Sequence, residues 1–257
     1  MCPAKNSVVL LLLAAFSALF SSLATAQPSN ETSVSLQPSL TVHEIVSRLE
    51  ERNRERAEML RGFQGTRLYR MRYRGFFGSR DAEMTVRLKY TSPDSRQFTI
   101  ISESGSKFVC DHVFKSLLDG EKEAMSPENR KRTDLSAENF DFTLVGTEGT
   151  PEDPQYVLNV VPKGNNKFLY RGKIWVDAKE FVVTRVEAEP AKNPSFWIKK
   201  SRISHSYEKV GQFWLPAADN TESWIRFGGR AQLWIDYKDY EIAEGARSEV
   251  PPSLPTR

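Results

Sequence analysis

The chain has 257 residues, with 36 lysines and arginines, 33 aspartates and glutamates, and a formal net charge of +3 at pH 7. A charge so close to balance excludes the class of proteins that bind nucleic acid through bulk electrostatics, so no nucleic-acid partner is expected. The length is ample for one well-buried core in a single domain.

The first 26 residues have the pattern of a cleavable signal peptide. Lys5 precedes an apolar stretch from Ser7 to Leu23, and Ala24-Thr25-Ala26 supplies the small residues of a cleavage site. The strongly apolar part is shorter than the roughly 20 residues of a spanning helix, and Cys2 lies before it rather than after it. We therefore expect an exported protein that is soluble and unlipidated after cleavage.

The rest of the chain divides into a flexible leader at 27–38, a domain at 39–243 and a disordered tail at 244–257. The leader and the tail are polar and rich in proline and serine. Cys110 is the only cysteine after residue 26, so no internal disulfide is expected. We interpret Cys110 as a buried structural thiol rather than a nucleophile.

An amphipathic helix opens the domain. Thr41 and Glu44 have the spacing of a capping box, in which each side chain receives the other's backbone amide. An apolar stripe at helical spacing follows, formed by Val42, Ile45, Val46 and Leu49. Gly62 is expected to stop the helix.

After Gly65 the period of the sequence changes to two. Tyr69, Met71 and Tyr73 alternate with arginines, and Met84, Val86 and Leu88 continue the pattern beyond a Gly78-Ser79 turn. This alternation predicts antiparallel strands with one apolar and one wet face. We interpret the four arginines, Arg67, Arg70, Arg72 and Arg74, as the solvent face of the first strand, with an anion site as the alternative.

The remaining segments predict one more helix and more strands. The third strand is expected around 98–102 and the second helix at 106–125. Later candidate strands lie around 140–144, 156–160, 169–176, 181–188, 196–207, 212–216, 221–227 and 231–240. Turn residues separate them, among them Asp219-Asn220 between the strands at 212–216 and 221–227. The pattern totals about ten strands in sequential hairpins.

A long meander with one apolar face has to bury that face. We expect an α+β fold, mainly antiparallel β: a curved, unclosed β-barrel with helices packed on its concave face. A few helices rarely fill so wide a sheet, so a cavity suited to a lipid-like ligand is expected.

Three stretches carry a resemblance to a known family. They are Lys167–Asp177 (KFLYRGKIWVD), Phe181–Glu187 (FVVTRVE) and Gly211–Pro216 (GQFWLP). With the leading helix, they resemble the LolA/LolB-like family, specifically its outer membrane lipoprotein-sorting group. The resemblance covers roughly residues 40–243 and implies an unclosed barrel with helices as a lid over a hydrophobic cavity.

That resemblance also implies a function and partners. It implies a periplasmic carrier of lipid or lipoprotein acyl chains that works between an inner-membrane exporter and an outer-membrane acceptor. A related branch, similar to RseB, implies the alternative of an envelope sensor that docks another protein or lipid. The segment 106–125 departs from the carrier pattern, because a helix replaces a short aromatic-rich hairpin there.

No local motif supports catalysis. His43, His112 and His205 lie in separate elements and form no metal or triad spacing, so neither an enzyme nor a metal or cofactor is expected. The predicted ligand-binding residues are the apolar period-two set, which suits a cavity for flexible chains. The set is Tyr69, Met71, Tyr73, Met84, Val86, Leu88, Phe98 and Ile100. Plain core packing is the alternative for each residue taken singly.

The tryptophans are the remaining candidates for ligand-binding side chains. Trp175, Trp224 and Trp234 each alternate with aliphatic residues, which places them on the face opposite the core. Packing against a second hydrophobic layer is the interpretation we favour, and a sugar-stacking platform is the alternative.

Overall fold

The computed structural model describes residues 40–76, 78–93, 95–193 and 195–243. The predicted signal peptide at 1–26, the leader at 27–38 and the tail at 244–257 lie outside the described residues. No helix within these ranges is both long enough and apolar enough to cross a membrane.

One antiparallel sheet forms the body of the protein. Its strands are β1 (Gly62–Gly75), β2 (Gly78–Thr91), β3 (Ser95–Gly105), β4 (Phe140–Thr150), β5 (Asp153–Pro162), β6 (Tyr170–Asp177), β7 (Val183–Pro190), β8 (Ile198–Val210), β9 (Phe213–Ile225) and β10 (Arg230–Ile242). The strand order is β3-β2-β1-β10-β9-β8-β7-β6-β5-β4, so the barrel stays open between β3 and β4. The predicted fold class is confirmed.

The helices lie before the sheet and within the connection from β3 to β4. They are α1 (Val42–Met59), α2 (Lys107–Val109), a π-helical turn (Cys110–Phe114), α3 (Lys115–Ala124) and α4 (Pro127–Thr133). We call the continuous stretch from α2 to α3 the helical segment 107–124. It corresponds to the helix predicted at 106–125.

The capping box begins α1 as predicted. The Glu44 amide donates to Thr41 Oγ1 at 3.3 Å, and the Thr41 amide donates to the Glu44 carboxylate at 2.7 Å. The Thr41 amide and the Thr41 hydroxyl both donate to the Glu44 carboxylate, and these two hydrogen bonds lower the pKa of Glu44. The helix ends at Met59 rather than running to Gly62, because Gly62 already pairs with Thr91 as the first residue of β1.

Helix α1 and the helical segment 107–124 cover different halves of the concave face. The buried stripe of α1 packs with strands β4 to β8 in a cluster of Ile45, Val46, Leu49, Phe140, Leu158, Val160, Leu169, Ile174, Val176, Val186, Ala188 and Ile203. The helical segment 107–124 packs on β1, β2 and β10 in a cluster of Tyr69, Ala82, Met84, Val86, Val109, Cys110, Phe114, Leu118 and Leu233. The middle of the sheet lies between these two clusters.

Cys110 is buried in the second cluster, as predicted. Its thiol lies 3.7 Å from the carbonyl oxygen of Ser104, and burial raises the pKa of the thiol. A thiol that is hard to ionise is a poor nucleophile, which agrees with a structural role.

The predicted turn at Asp219-Asn220 is wrong. Both residues lie inside β9, which joins the two predicted strands at 212–216 and 221–227 into one. Asp219 pairs with His205 of β8 and Ile235 of β10 in the ladder. Its carboxylate is held by side chains of both neighbouring strands, so the local turn propensity of Asp-Asn is overridden by tertiary contacts.

The placement of Arg67 on the solvent face is also wrong. Arg67 is 5% exposed and lies on the concave face, whereas Arg70, Arg72 and Arg74 lie on the outer face as predicted, with side chains 43–58% exposed. Side chains alternate along a strand, so residue 67 shares a face with residues 69 and 71. An ion pair with α3 compensates its charge.

The tryptophans on the outer face are covered by arginines. Trp175 is 4% exposed, with the Arg185 guanidinium 3.6 Å from its ring centre and its indole N–H donating to Glu148. Trp224 has Arg202 and Arg230 within 5.6 Å of its ring centre. These rings pack against arginine side chains rather than against a second hydrophobic layer.

Candidate functional site

A cavity of about 310 Å³ lies on the concave face, between the apolar cluster beneath α1 and the one beneath the helical segment 107–124. We call it the central cavity. One wall comes from α3, where a single helix face presents Leu117, Gly120, Glu121 and Ala124. The sheet supplies the opposite wall with Arg67, Tyr69, Tyr170, Val186, Ile203, His205, Tyr207, Asp219, Ile235 and Tyr237. The volume is at the small end of the range of about 300–1,000 Å³ that is usual for ligand sites.

An ion-pair cluster ties the helical wall to the sheet. Arg67 on β1 donates to both carboxylate oxygens of Glu121, one of them at 3.0 Å, and Arg96 on β3 donates to the same carboxylate. Burial alone would raise the pKa of Glu121, but Arg67 and Arg96 outweigh it and lower that pKa below its ordinary value. Glu121 is therefore ionised at neutral pH.

A second polar cluster spans three adjacent strands. His205 Nδ1 on β8 is hydrogen-bonded to the Asp219 carboxylate on β9, and the Tyr237 hydroxyl on β10 donates to the other oxygen of Asp219 at 2.7 Å. Burial opposes protonation of His205, but the Asp219 carboxylate outweighs it, so the pKa of His205 is raised. Burial and Asp219 raise the pKa of Tyr237 well above its ordinary value.

The two clusters are in contact across the cavity wall. The Arg67 guanidinium lies 4.9 Å from the ring centre of Tyr237 and 3.3 Å from the Tyr69 hydroxyl. The central cavity therefore combines apolar walls with a continuous polar strip. An amphiphile, with one apolar and one polar part, is the complementary ligand.

A second cavity, of about 270 Å³, lies beside the first and shares Arg67 and Tyr207 with it. We call it the arginine cavity. Its lining consists of Asn53, Arg56, Ala57, Leu60, Phe63, Arg67, Tyr90, Arg96, Tyr207, Leu215, Pro216 and Tyr240. Burial raises the pKa of Tyr207 to about 12, so its hydroxyl stays protonated at neutral pH.

A third cavity, of about 300 Å³, is almost wholly apolar and lies between the helical segment 107–124 and strands β8 to β10. Met71, Val113, Ile198 and Leu233 line it. Trp197 also lines it, and the exposed rings of Phe196 and Phe227 pack against Trp197, with ring centres 5.8 and 5.6 Å away. We call these three rings the aromatic rim.

The structure separates the predicted ligand-binding residues. Tyr69 lines the central cavity, and Met71 lines the third cavity. Met84 and Val86 are buried beneath the helical segment 107–124, Leu88 is buried in a third cluster, and Phe98 packs against both clusters. Tyr73 is buried at the strand end, and Ile100 is 38% exposed on the edge strand. Their role in binding stays a prediction.

The residues that sequence reasoning missed are the polar ones of the cavities. Arg67 shares the parity of Tyr69, Met71 and Tyr73, and this signal was available in the sequence. His205 and Asp219 gave no comparable signal, because their pairing depends on the register between β8 and β9. Among the described residues, no group of three or more potential ligands could hold a metal ion.

Together, the open meander and the helices on its concave face define an open half-barrel with internal cavities. No protein-family model and no curated protein matches the chain. Solved structures do match. A DUF1329 family protein from Desulfovibrio piger is 14% identical, with a TM-score of 0.41, over 80% of this chain and 95% of that one.

Two further matches bear the names that the sequence resemblance predicted. A LolA superfamily protein from Nitrosomonas europaea is 11% identical, with a TM-score of 0.34, over 80% of this chain and 96% of that one. A putative outer membrane lipoprotein-sorting protein domain from Vibrio parahaemolyticus is 12% identical, with a TM-score of 0.39, over 81% and 96%. The MucA/MucB complex of Pseudomonas aeruginosa also matches, at 13% identity and a TM-score of 0.24, over 79% and 99%. The predicted resemblance is confirmed, and it is a likeness of fold alone.

Proposed function

We propose that this protein is an exported, periplasmic binding or carrier protein for a lipid-like group, held in the central cavity. The observation that carries the proposal is the cavity itself. Its walls come from two separately packed parts of the chain, a face of α3 and the concave sheet, and they offer apolar side chains beside one polar strip. In a fully packed core such a space is not expected, because interiors are close-packed.

Native mass spectrometry with lipid extraction tests this function. The protein would be exported by an expressing cell, purified under gentle conditions, and its N-terminus identified in the same spectrum. We expect a bound species in the mass range of acyl lipids that is lost on organic extraction. A protein that stays empty, even after incubation with lipids and lipopeptides, would contradict the proposal.

A cavity-filling variant links the bound species to the site. Ala124 lies on the cavity wall of α3, so Ala124→Trp places an indole in the space and should reduce lipid binding at least about tenfold. Ala137 is exposed in the loop before β4, and Ala137→Trp adds the same side chain away from the cavity. Lipid titration followed by native mass spectrometry should separate the two variants. Equal binding by both would remove the central cavity as the site.

A second candidate function is an envelope sensor that docks a segment of another protein. The aromatic rim favours it, because Phe196, Trp197 and Phe227 are 50–66% exposed beside an apolar cavity. Cargo transfer to acceptor vesicles distinguishes the two functions. A carrier releases its lipid to the acceptor, whereas a sensor retains it.

A further inference from the structure

Three arginines share the arginine cavity, and their charge is not balanced. Arg56 comes from the last turn of α1, Arg67 from β1 and Arg96 from β3. Among the described residues no carboxylate lines this cavity, and Glu121, on the side of the central cavity, is the one acid bonded to Arg67 and Arg96. Three positive charges thus face one negative charge.

The arginines also have unused donors. Within the described part of the chain, the Nε atoms of Arg56, Arg67 and Arg96 are buried and have no hydrogen-bond partner. Arg67 is 5% exposed, so an acceptor can approach it only from the two cavities that it lines. A buried donor without an acceptor and a buried cation without an anion both cost free energy.

The electrostatics of Arg56 show the same excess of positive charge. Burial lowers the pKa of its guanidinium, and the positive charge of Arg96 lowers it further, although Tyr207 and Tyr90 act in the opposite direction. A second anion placed among the three guanidinium groups would remove this repulsion. Carboxylate and phosphate groups are the anions whose geometry matches arginine donors.

We propose that the arginine cavity binds the anionic head, a carboxylate or a phosphate, of an amphiphile whose apolar part lies in the central cavity. The proposal rests on the proposed function for the apolar part, but the anion site stands on the arginines alone. The two cavities share Arg67 and Tyr207, so one ligand can occupy both. This arrangement selects anionic amphiphiles over neutral ones of equal chain length.

Isothermal titration calorimetry with three probes tests the proposal on the exported chain. Decyl phosphate carries both parts of the ligand, decanol carries only the apolar part, and inorganic phosphate carries only the anion. We expect decyl phosphate to bind at least about tenfold more tightly than decanol, as charge-assisted hydrogen bonds require. Inorganic phosphate should bind weakly and compete with decyl phosphate.

Matched variants assign the effect to the cavity. Arg56→Gln should weaken decyl phosphate about tenfold and leave decanol unchanged. Arg72→Gln makes the same change on the outer face of β1, where the side chain is 58% exposed, and should alter neither probe. Arg96→Gln provides a second test if Arg56→Gln does not fold, with thermal unfolding as the check.

Three other calorimetric outcomes would contradict the anion site, the proposed function or both. Equal affinity for decanol and decyl phosphate, with no effect of Arg56→Gln, would overturn the anion site and leave the proposed function standing. Binding of inorganic phosphate, lost in Arg56→Gln, without binding of either amphiphile would support the anion site with a free anion as its ligand and contradict the proposed function. Binding of no probe would contradict both.

Discussion

His205 and Asp219 form a pH-sensitive contact in the central cavity. The imidazole faces Asp219 from β9, Tyr207 from its own strand, and Arg67 and Glu121 from the other side of the cavity. Burial and Arg67 oppose protonation, whereas the carboxylates favour it, and the carboxylates prevail. The contact with Asp219 therefore favours the protonated imidazole.

The raised pKa of His205 predicts a definite sign for the pH dependence of stability. A group whose pKa is higher in the folded state stabilises that state fully below its unfolded pKa, about 6.5 for histidine. The contribution is lost as the pH rises through the folded pKa. We therefore expect the free energy of unfolding of the wild type to fall between mildly acidic and alkaline pH relative to that of His205→Gln.

Urea unfolding at a series of pH values measures this difference. His43 is exposed in the first turn of α1, so His43→Gln is the matched control and should follow the wild type. Parallel curves for wild type and His205→Gln would show that the Asp219 contact does not favour the protonated imidazole.

At the scale of elements, α1 depends on its N-terminal cap. The Thr41 hydroxyl accepts an amide that has no partner within the helix, and three buried residues then hold α1 on the sheet. Thr41→Ala should lower the free energy of unfolding by about 1 kcal/mol. Thr41→Ser keeps the oxygen and should have little effect. Chemical denaturation measures both, and an equal loss in the two variants would exclude the cap as the cause.

How far sequence predicts an element depends on the range of its interactions. The capping box and the alternation in β1 are local, so α1 and the first hairpin could be predicted. Asp219 has the chemistry of a turn residue, and only its partners on β8 and β10 keep it extended. Arg67 lies in a run of arginines whose other members face solvent, although its odd position places it on the same face as Tyr69. The arginine cavity joins α1, β1 and β3, so no local pattern could have shown it.

At the scale of the whole molecule, the concave face is covered by two helical parts that pack independently. α1 lies on strands β4 to β8, and the helical segment 107–124 lies on β1, β2 and β10. The central cavity is bounded by α3, which belongs to the second of these parts. Glu121 holds the segment to the sheet through Arg67 and Arg96.

Removing the charge of Glu121 should therefore loosen one helical part and not the other. Glu121→Gln leaves Arg67 and Arg96 without their anion, which favours states in which α3 has moved away from the sheet. We expect amide hydrogen exchange in α3 to become at least about tenfold faster, while exchange in α1 stays at the wild-type rate. Hydrogen exchange read by mass spectrometry resolves the two helices in one experiment. An equal increase in both would mean that the two halves of the concave face unfold as one unit, and the cavity would then have no separately movable wall.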